Sequence, residues 1–376
     1  EYTATADKLQ VGHPPGAPTF QLIGSLFSIF AGSDTSLVAY AMNAMSAICS
    51  GFTILFLFWT ITMLAKKLVK NKEEMTLGQM IAIFASGVVG SLAYTFSDTF
   101  WYSAVESEVY AMSSCFTAIS FWAILKWEAE ADDKHNLRWL ILIAFLIGIS
   151  IGVHLLNLLA IPAITYVFYF KKYPNVEKNK KRNFILVGII SMLLVAIILY
   201  FIVPYIVIFA GKFEIFFTNS IGLPFNTGTI VYFALLIGLL VWGVWYSIKK
   251  QKVILNTALL SVLFILIGYT TFFVLVIRSN ANTPINENAP KDATALLTYL
   301  NREQYGYTPL FHGQYYNAMV VDQQESSSKY IKDKESGKYI EVKQRGKLVY
   351  ESDKTTIFPR MWSNDESRNH PTYYKM

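Results

Sequence analysis

Three features of the chain predict an all-α polytopic membrane protein of about eight spans with a small α/β domain on its outer side. Hydrophobic residues make up 53% of the 376 positions and charged residues only 15%, where soluble domains carry about 25% charge. The charge deficit is local. From about residue 37 to 277 one apolar stretch follows another, several reaching the roughly 18 to 20 residues that cross a bilayer. Lys and Arg gather in the short connections between these stretches, as the positive-inside rule requires.

The spans are predicted at 37–65, 77–97, 109–126, 139–154, 157–170, 184–210, 229–248 and 253–277. The first ends on Lys66-Lys67, and the second opens after the charged link KKLVKNKEE at 66–74. The third closes on Lys126 and the link KWEAEADDKHNLR at 126–138. Between Arg138 and Lys171 lie only 32 residues, room for two short helices of about 24 Å each or one long kinked one. Charge decides between them. The links 66–74, 126–138, 171–183 and 249–252 hold half of the chain's 32 Lys and Arg, whereas the opposite links around 98–108, 154–157 and 211–228 hold only Lys212. For the four basic links to share the cytoplasm, 139–170 must cross twice or enter and leave as a re-entrant pair.

Both termini then lie outside. With no signal peptide and no initiating Met at Glu1, the sequence reads as a fragment that lacks a preceding span and part of its C-terminal domain. Residues 1–277 form the membrane body and 278–376 an outer domain, polar and rich in Tyr, Asn and Lys, with strand-like pieces at 339–342 and 348–350. The formal charge of +6 sits in the links, so no nucleic-acid partner is expected. Cys49 and Cys115 fall inside apolar stretches and read as core residues rather than a disulfide framework. No internal repeat stands out.

Four outer segments carry polar residues the apolar body does not need. In 1–36, His13-Pro14-Pro15-Gly16 breaks the chain before an amphipathic run at 19–31; His13 either belongs to a surface turn or faces a substrate. In 94–112, Glu106 and Glu108 stand two apart with Asp98, Phe100, Trp101 and Tyr102 upstream. Carboxylates there either complement a helix dipole or face an aqueous cleft. If 106–110 is helical, Glu106 and Tyr110 share a face and Glu108 points about 200° away, so only one glutamate enters a narrow cleft. In 148–162, His154 and Asn157 sit at the turn of the short pair, either as core residues or beside the other segments. Last, Arg278 with Asn280, Asn282 and Asn286 either snorkels or meets a phosphate at headgroup depth. The five histidines form no HExxH, no Cys pair spaces a metal site, and GxSxG, P-loop and dinucleotide glycine patterns are missing.

EYTATADKLQVGHPPGAP, FWYSAVESEVYAMS, GISIGVHLLNLLAIP and RSNANTPINENAP, in that order, resemble the bacterial branch of glycosyltransferase family 117. That branch is common in Bacteroidetes and related to the eukaryotic enzymes that O-mannosylate plexin-type domains. The likeness covers nearly all of 1–300 and continues more loosely beyond. It implies a C-type glycosyltransferase fold in the inner (cytoplasmic) membrane, multi-pass, with its active face periplasmic. It also implies a polyprenyl-phosphate-linked sugar as donor and secreted proteins as acceptors, with the lipid bilayer as the third partner. In the family an Asp-x-Gly-Glu followed by an aromatic lies on the first outer loop, its acid acting as general base; Glu1-Tyr2 look like the last two positions, and the Asp would fall just before Glu1. Were that Asp the base, the chain as it stands would be inactive. Some enzymes of the fold hold a divalent metal through such carboxylates, the one cofactor the resemblance allows for.

The expected reaction is therefore inverting transfer of a sugar, mannose by the resemblance, to Ser or Thr. Glu106, Glu108 and Glu1 are the catalytic candidates, and His13, Asp98, Tyr110, His154, Asn157 and Arg278 the substrate-binding ones. Such a reaction needs a base, a partner for the departing phosphate and an opening to the bilayer. The alternatives are a lipid-linked sugar flippase or transporter, which would place polar residues and broken helices at mid-membrane, and a non-catalytic envelope-biogenesis protein. Asn43 and Ser46 are the main mid-depth polar residues of the first span, and Gly87 and Gly90 read as helix-packing positions.

Overall fold

The computed structural model describes residues 1–70, 74–173, 179–305, 308–324, 328–343 and 346–375. Parts of two basic links, 71–73 and 174–178, lie outside the described residues. Among those described, six helical stretches are long and apolar enough to cross a membrane: Thr35–Lys67, Leu77–Thr95, Val109–Ala129, Lys180–Ser220, Thr227–Lys249 and Val253–Asn280.

Before the first span, α1 (Tyr2–Asp7) and α2 (Pro18–Ser28) fold back on the body, with Pro18 at the start of α2 where its missing N–H is harmless. The spans α3 (Val38–Lys67), α4 (Leu77–Thr95) and α6 (Val109–Ala129) flank a short α5 (Asp98–Ala104). A capping box between Thr76 and Gln79 opens α4. As expected, Gly87 and Gly90 are packing positions: a Cβ on either would lie 2.6 or 2.7 Å from α3 side chains.

The weak segment 139–170 is two helices, α7 (Leu137–Ile151) and α8 (Ala160–Lys172), joined by a 3-10 turn at Leu155–Leu159. Each is about 20 Å long, short of a hydrocarbon core of about 30 Å. They stand because longer helices accept them. Gly148 of α7 and Gly268 of α12 (Val253–Tyr269) lie against each other's backbone, where an added Cβ would come within 2.3 Å of a main-chain atom. α8 meets α9 (Lys180–Ile197) through the Tyr166 hydroxyl, which donates to the Phe184 carbonyl at 2.9 Å.

One boundary expectation needs correction. The span placed at 184–210 and the link at 211–228 are mostly one helical run, α9 continuing through π turns into α10 (Val203–Ile215) and on to Ser220. Nothing in Lys212–Ser220 breaks a helix; the breakers, Gly222 and Pro224, come later. α11 (Thr227–Lys249) follows, then α12 and α13 (Phe273–Asn280).

Side-chain pairs fix which ends lie together. Lys67 pairs with Glu128, Arg138 with Glu130 at 2.7 Å, and Lys171 with Asp132 at 3.1 Å, so the basic ends of α3, α6, α7 and α8 share one face. At the other end the Ser107 hydroxyl meets Asn43 Oδ1 at 2.6 Å.

Beyond α13 come α14 (Ala293–Leu300), six short strands and α15 (His370–Lys375). The strands nest as one interrupted antiparallel hairpin: β1 (His312–Gln314) with β6 (Thr355–Ile357), β2 (Val320–Gln323) with β5 (Leu348–Tyr350), and β3 (Ser328–Asp333) with β4 (Lys338–Lys343). The strand-like pieces at 339–342 and 348–350 are β4 and β5.

Candidate active site

The N-terminal segment reaches the site because both sides of it are held. Val11 and Phe20 are wholly buried. The Val11 amide donates to the Ile285 carbonyl at 3.1 Å, and the Glu287 amide donates to the Val11 carbonyl at 3.0 Å. Arg278 donates from Nε to the Leu9 carbonyl at 2.6 Å and from Nη2 to the Lys8 carbonyl at 3.0 Å. Its guanidinium is thus occupied in clamping the loop. The asparagines behind it are likewise engaged: Asn280 donates to the Val276 and Lys291 carbonyls, Asn286 to the Ser279 carbonyl, and Asn282 accepts from Lys291.

Held this way, the turn at His13 folds over residue 1. Glu1 Oε1 accepts the His13 amide at 2.7 Å and Oε2 meets His13 Nδ1 at 2.5 Å. Burial pushes the Glu1 carboxyl up, but the His13 amide, ring and charge outweigh it and hold the group below its ordinary value. From the far side the buried Tyr299 hydroxyl donates to the Gly12 carbonyl at 2.7 Å and lies 3.3 Å from that of His13.

Glu106 and Glu108 are not on a helix, which corrects the conditional reading of 106–110. The chain turns at Ser107, the Glu108 amide donates to the Glu106 carbonyl at 2.8 Å, and α6 begins only at Val109 with Glu108 as its extended N-cap. The helical argument that divided the two glutamates therefore lapses. Burial first, then the Glu106 charge, raises the Glu108 carboxyl above its ordinary value.

His154 caps the 3-10 turn, its Nδ1 accepting the Leu156 amide at 3.2 Å. That bond leaves the ring proton on Nε2, and burial lowers the imidazole further from protonation. Tyr110 tilts over His154 with ring centroids 5.6 Å apart. Asn157 points the other way: it has no exposed surface and donates to Ser150 Oγ at 2.9 Å, inside the α7 and α8 packing. Asp98 is exposed at the first turn of α5, and no described hydrogen bond or ion pair ties it to the other candidates.

Tyr2 is the residue around which the segments meet. Its ring lies 5.9 Å from that of His13 and 5.2 Å from that of Phe20. Burial, then the carboxylates of Glu108 and Glu1, then Tyr110, push its phenol up to about 12, while the Arg302 guanidinium pulls the other way. Tyr2 also packs against the core cluster that holds Val109 and Met112 at the start of α6, so Glu1 and His13 stand on one side of it and the chain at Glu108 and Tyr110 on the other, with His154 beside Tyr110. Tyr2 enters the sequence reading only as the aromatic after Glu1 in the family pattern, and Tyr299 and Arg302 do not enter it, because a tyrosine in α14 and an arginine just beyond it carry no local signal. Among the described residues no three His, Cys, Asp or Glu side chains converge as a metal site would need.

A cavity of about 860 Å³ runs between α10, α11, α12 and α13, with α14 at its outer end. Its walls are apolar, among them Val207, Phe233, Leu240 and Phe272, and its outer end carries Asn226, Thr229, Asn280, Lys291 and Asp292.

Residues 1–177 match the family model described as the protein O-mannosyl-transferase TMEM260 N-terminal domain, and residues 306–376 match a family of unknown function, DUF8416. The chain is 27% identical over 119 residues to protein O-mannosyl-transferase tmem260 of Dictyostelium discoideum, covering 32% of this chain and 13% of that protein. It is 24% identical over 152 residues to protein O-mannosyl-transferase TMEM260 of Mus musculus, covering 40% of this chain and 19% of that protein. No solved structure matches. The matches thus span less than a fifth of these curated relatives. The family model's stretch includes Tyr2, His13, Glu108, Tyr110 and His154, and on residues 1–177 the chain is similar to the TMEM260-like protein O-mannosyltransferase family.

Proposed function

We propose that the chain carries the catalytic end of a membrane-embedded protein O-mannosyltransferase, moving mannose from a polyprenyl-phosphate donor to Ser or Thr of secreted proteins on the periplasmic face. The observation that carries this is the meeting of Glu1, His13, Glu108 and Tyr110 around Tyr2, at the end of the bundle away from the basic links. The resemblance of residues 1–177 to O-mannosyltransferase sequences supports the same reading.

The chemistry follows from the groups present. The acceptor hydroxyl oxygen attacks the sugar C1, the C1–O bond to the phosphate breaks, and the lipid phosphate leaves with the electron pair, inverting the configuration. Glu108 takes the hydroxyl proton; its raised affinity for protons makes it a better base than an ordinary carboxylate. Glu1 is spent on holding His13, and Glu106 keeps Glu108 basic. With Arg278 committed to two carbonyls, Arg302, whose guanidinium lies over the Tyr305 ring at 5.1 Å and whose charge is felt at the Tyr2 phenol, is the better partner for the departing phosphate. The apolar cavity is large enough for part of an isoprenoid chain, with polar groups at the depth of the headgroup.

The test is transfer of labelled mannose from polyprenyl-phosphate mannose to a Ser/Thr-rich secreted protein by the full-length enzyme, comparing wild type with Glu108→Gln and Arg302→Ala. Transfer is expected to fall in both variants. Transfer unaffected by either change overturns these roles, and no transfer from any lipid-linked sugar favours the flippase, for which the cavity would serve equally.

A further inference from the structure

Glu214 is a carboxylate with no exposed surface, near the outer end of α10. A buried charge is costly unless hydrogen-bonded, and this one is well supplied. Oε1 accepts the Asn226 amide at 2.5 Å; Oε2 accepts the Thr229 amide at 3.0 Å and the Thr229 hydroxyl at 3.1 Å. Glu214 thereby satisfies two of the amides at the start of α11 from a neighbouring helix. Those bonds would suffice for capping. Yet the Tyr339 hydroxyl, from β4 far along the chain, also reaches Oε1 at 3.4 Å.

Tyr339 is the one buried residue of β4; its neighbour Ile340 is 47% exposed, and Ile331 on β3 is 43% exposed. Asn219 grips the same residue like a strand partner, its Nδ2 donating to the Tyr339 carbonyl at 2.7 Å and its Oδ1 accepting the Tyr339 amide at 2.8 Å. The Phe225 ring stands edge-on to Tyr339 at 5.3 Å, and the Lys332 ammonium lies over Phe225 at 4.2 Å. On the opposite strand the Tyr330 carbonyl lies 3.4 Å from the Thr294 hydroxyl of α14. One hairpin is therefore tied to both walls of the cavity's outer end, since Asn226 and Thr229 line it from α11 and Asp292 and Ala293 from α14.

We propose that the β3–β4 hairpin is a clasp across the outer mouth of the cavity. Tyr339 is its bolt, and Glu214 and Asn219 are the seat. Because the hairpin is otherwise largely exposed, its hold on the body rests on this one buried side chain and a few polar contacts beside it, and such elements open locally at low cost. Release lets α14 part from the α10–α11 turn and admits solvent to the cavity. The inference does not depend on which ligand the cavity takes or which reaction the body performs, and it gives the C-terminal unit a role.

The test uses the full chain with Ala293→Cys and a charged, membrane-impermeant maleimide; the background thiols Cys49 and Cys115 lie within spans. Losing a hydrogen bond to a buried charge predicts labelling of residue 293 about 10-fold faster in Tyr339→Ala, with Tyr339→Phe in between. Hydrogen exchange of 329–343 is expected to rise in Tyr339→Ala while α3 and α6 stay protected. Unchanged exchange in the hairpin overturns the bolt. Faster exchange with unchanged labelling overturns the clasp. Should α3 and α6 loosen as well, Asn219→Ala, which spares the Glu214 seat, decides by the same two readings.

Discussion

The two ends of the helical bundle both carry charge and use it in opposite ways. At the basic end three of the acids have cations: Glu128 meets Lys67, Asp132 meets Lys171, and Glu130 takes Arg138, Lys126 and the Trp139 indole together. The Trp139 indole first, then Arg138 and Lys126, hold the Glu130 carboxyl at about 2. At the other end Glu108 is pushed the opposite way, and among the described residues neither it nor Glu106 makes an ion pair. Paired charges fix geometry and orientation, whereas a carboxylate left without a cation keeps its affinity for protons and can exchange them. The difference teaches where chemistry is to be sought in a membrane protein whose acids are few.

The comparison breaks most directly by exchanging the same atom at each end. Glu108→Gln should lower transfer by about 10²–10⁴-fold, the range of general base catalysis, while Glu130→Gln changes it little; both are read in the mannose-transfer assay. Equal losses at the two ends would erase the contrast.

The pH dependence sharpens it. A base whose folded value is raised loses activity as pH falls through that value, so the acid limb of the rate profile should lie above the ordinary carboxylate range. Glu106→Gln removes one cause of the rise and should move that limb to lower pH. Glu1 behaves with the other sign. Its carboxyl is depressed in the folded chain, so its contribution is present above the unfolded value and lost as pH falls through the folded one. The protection of residues 1–16 against hydrogen exchange, relative to the intrinsic rate at each pH, should therefore fall at acid pH, and His13→Ala should remove that response.

The smallest effect belongs to the basic end. Lys171→Ala deletes an exposed pair with Asp132, worth about 0–1 kcal/mol, and should shift the thermal midpoint by no more than a few degrees, with transfer unchanged.

Much of this architecture could be read from composition. The long spans ended where Lys66-Lys67, Lys126 and Lys249 said they should, because a cation cannot be carried into hydrocarbon. The short pair α7 and α8 was legible from charge alone; its stability was not, since it rests on Gly148 and Gly268 meeting across helices far apart in sequence. The run to Ser220 was misjudged because polar residues from Lys212 onward looked like a loop, while Glu214 and Asn219 have partners that only folding supplies. Of the candidate residues, His13 and Glu108 stand with Tyr2, whereas Asn157 packs into the core and Arg278 serves the backbone.

By itself, the sequence determined that the chain is a helical membrane body, which end carries the basic links, and which segments hold polar groups on the other side. Those are properties of transfer between water and hydrocarbon, summed locally along the chain. Only the tertiary structure decided that Glu1 grips His13, that Tyr2 gathers the acids, and that Tyr339 reaches Glu214. Each of those contacts joins residues whose separation in sequence carries no periodic signal, and each depends on the angle at which one packed element meets another.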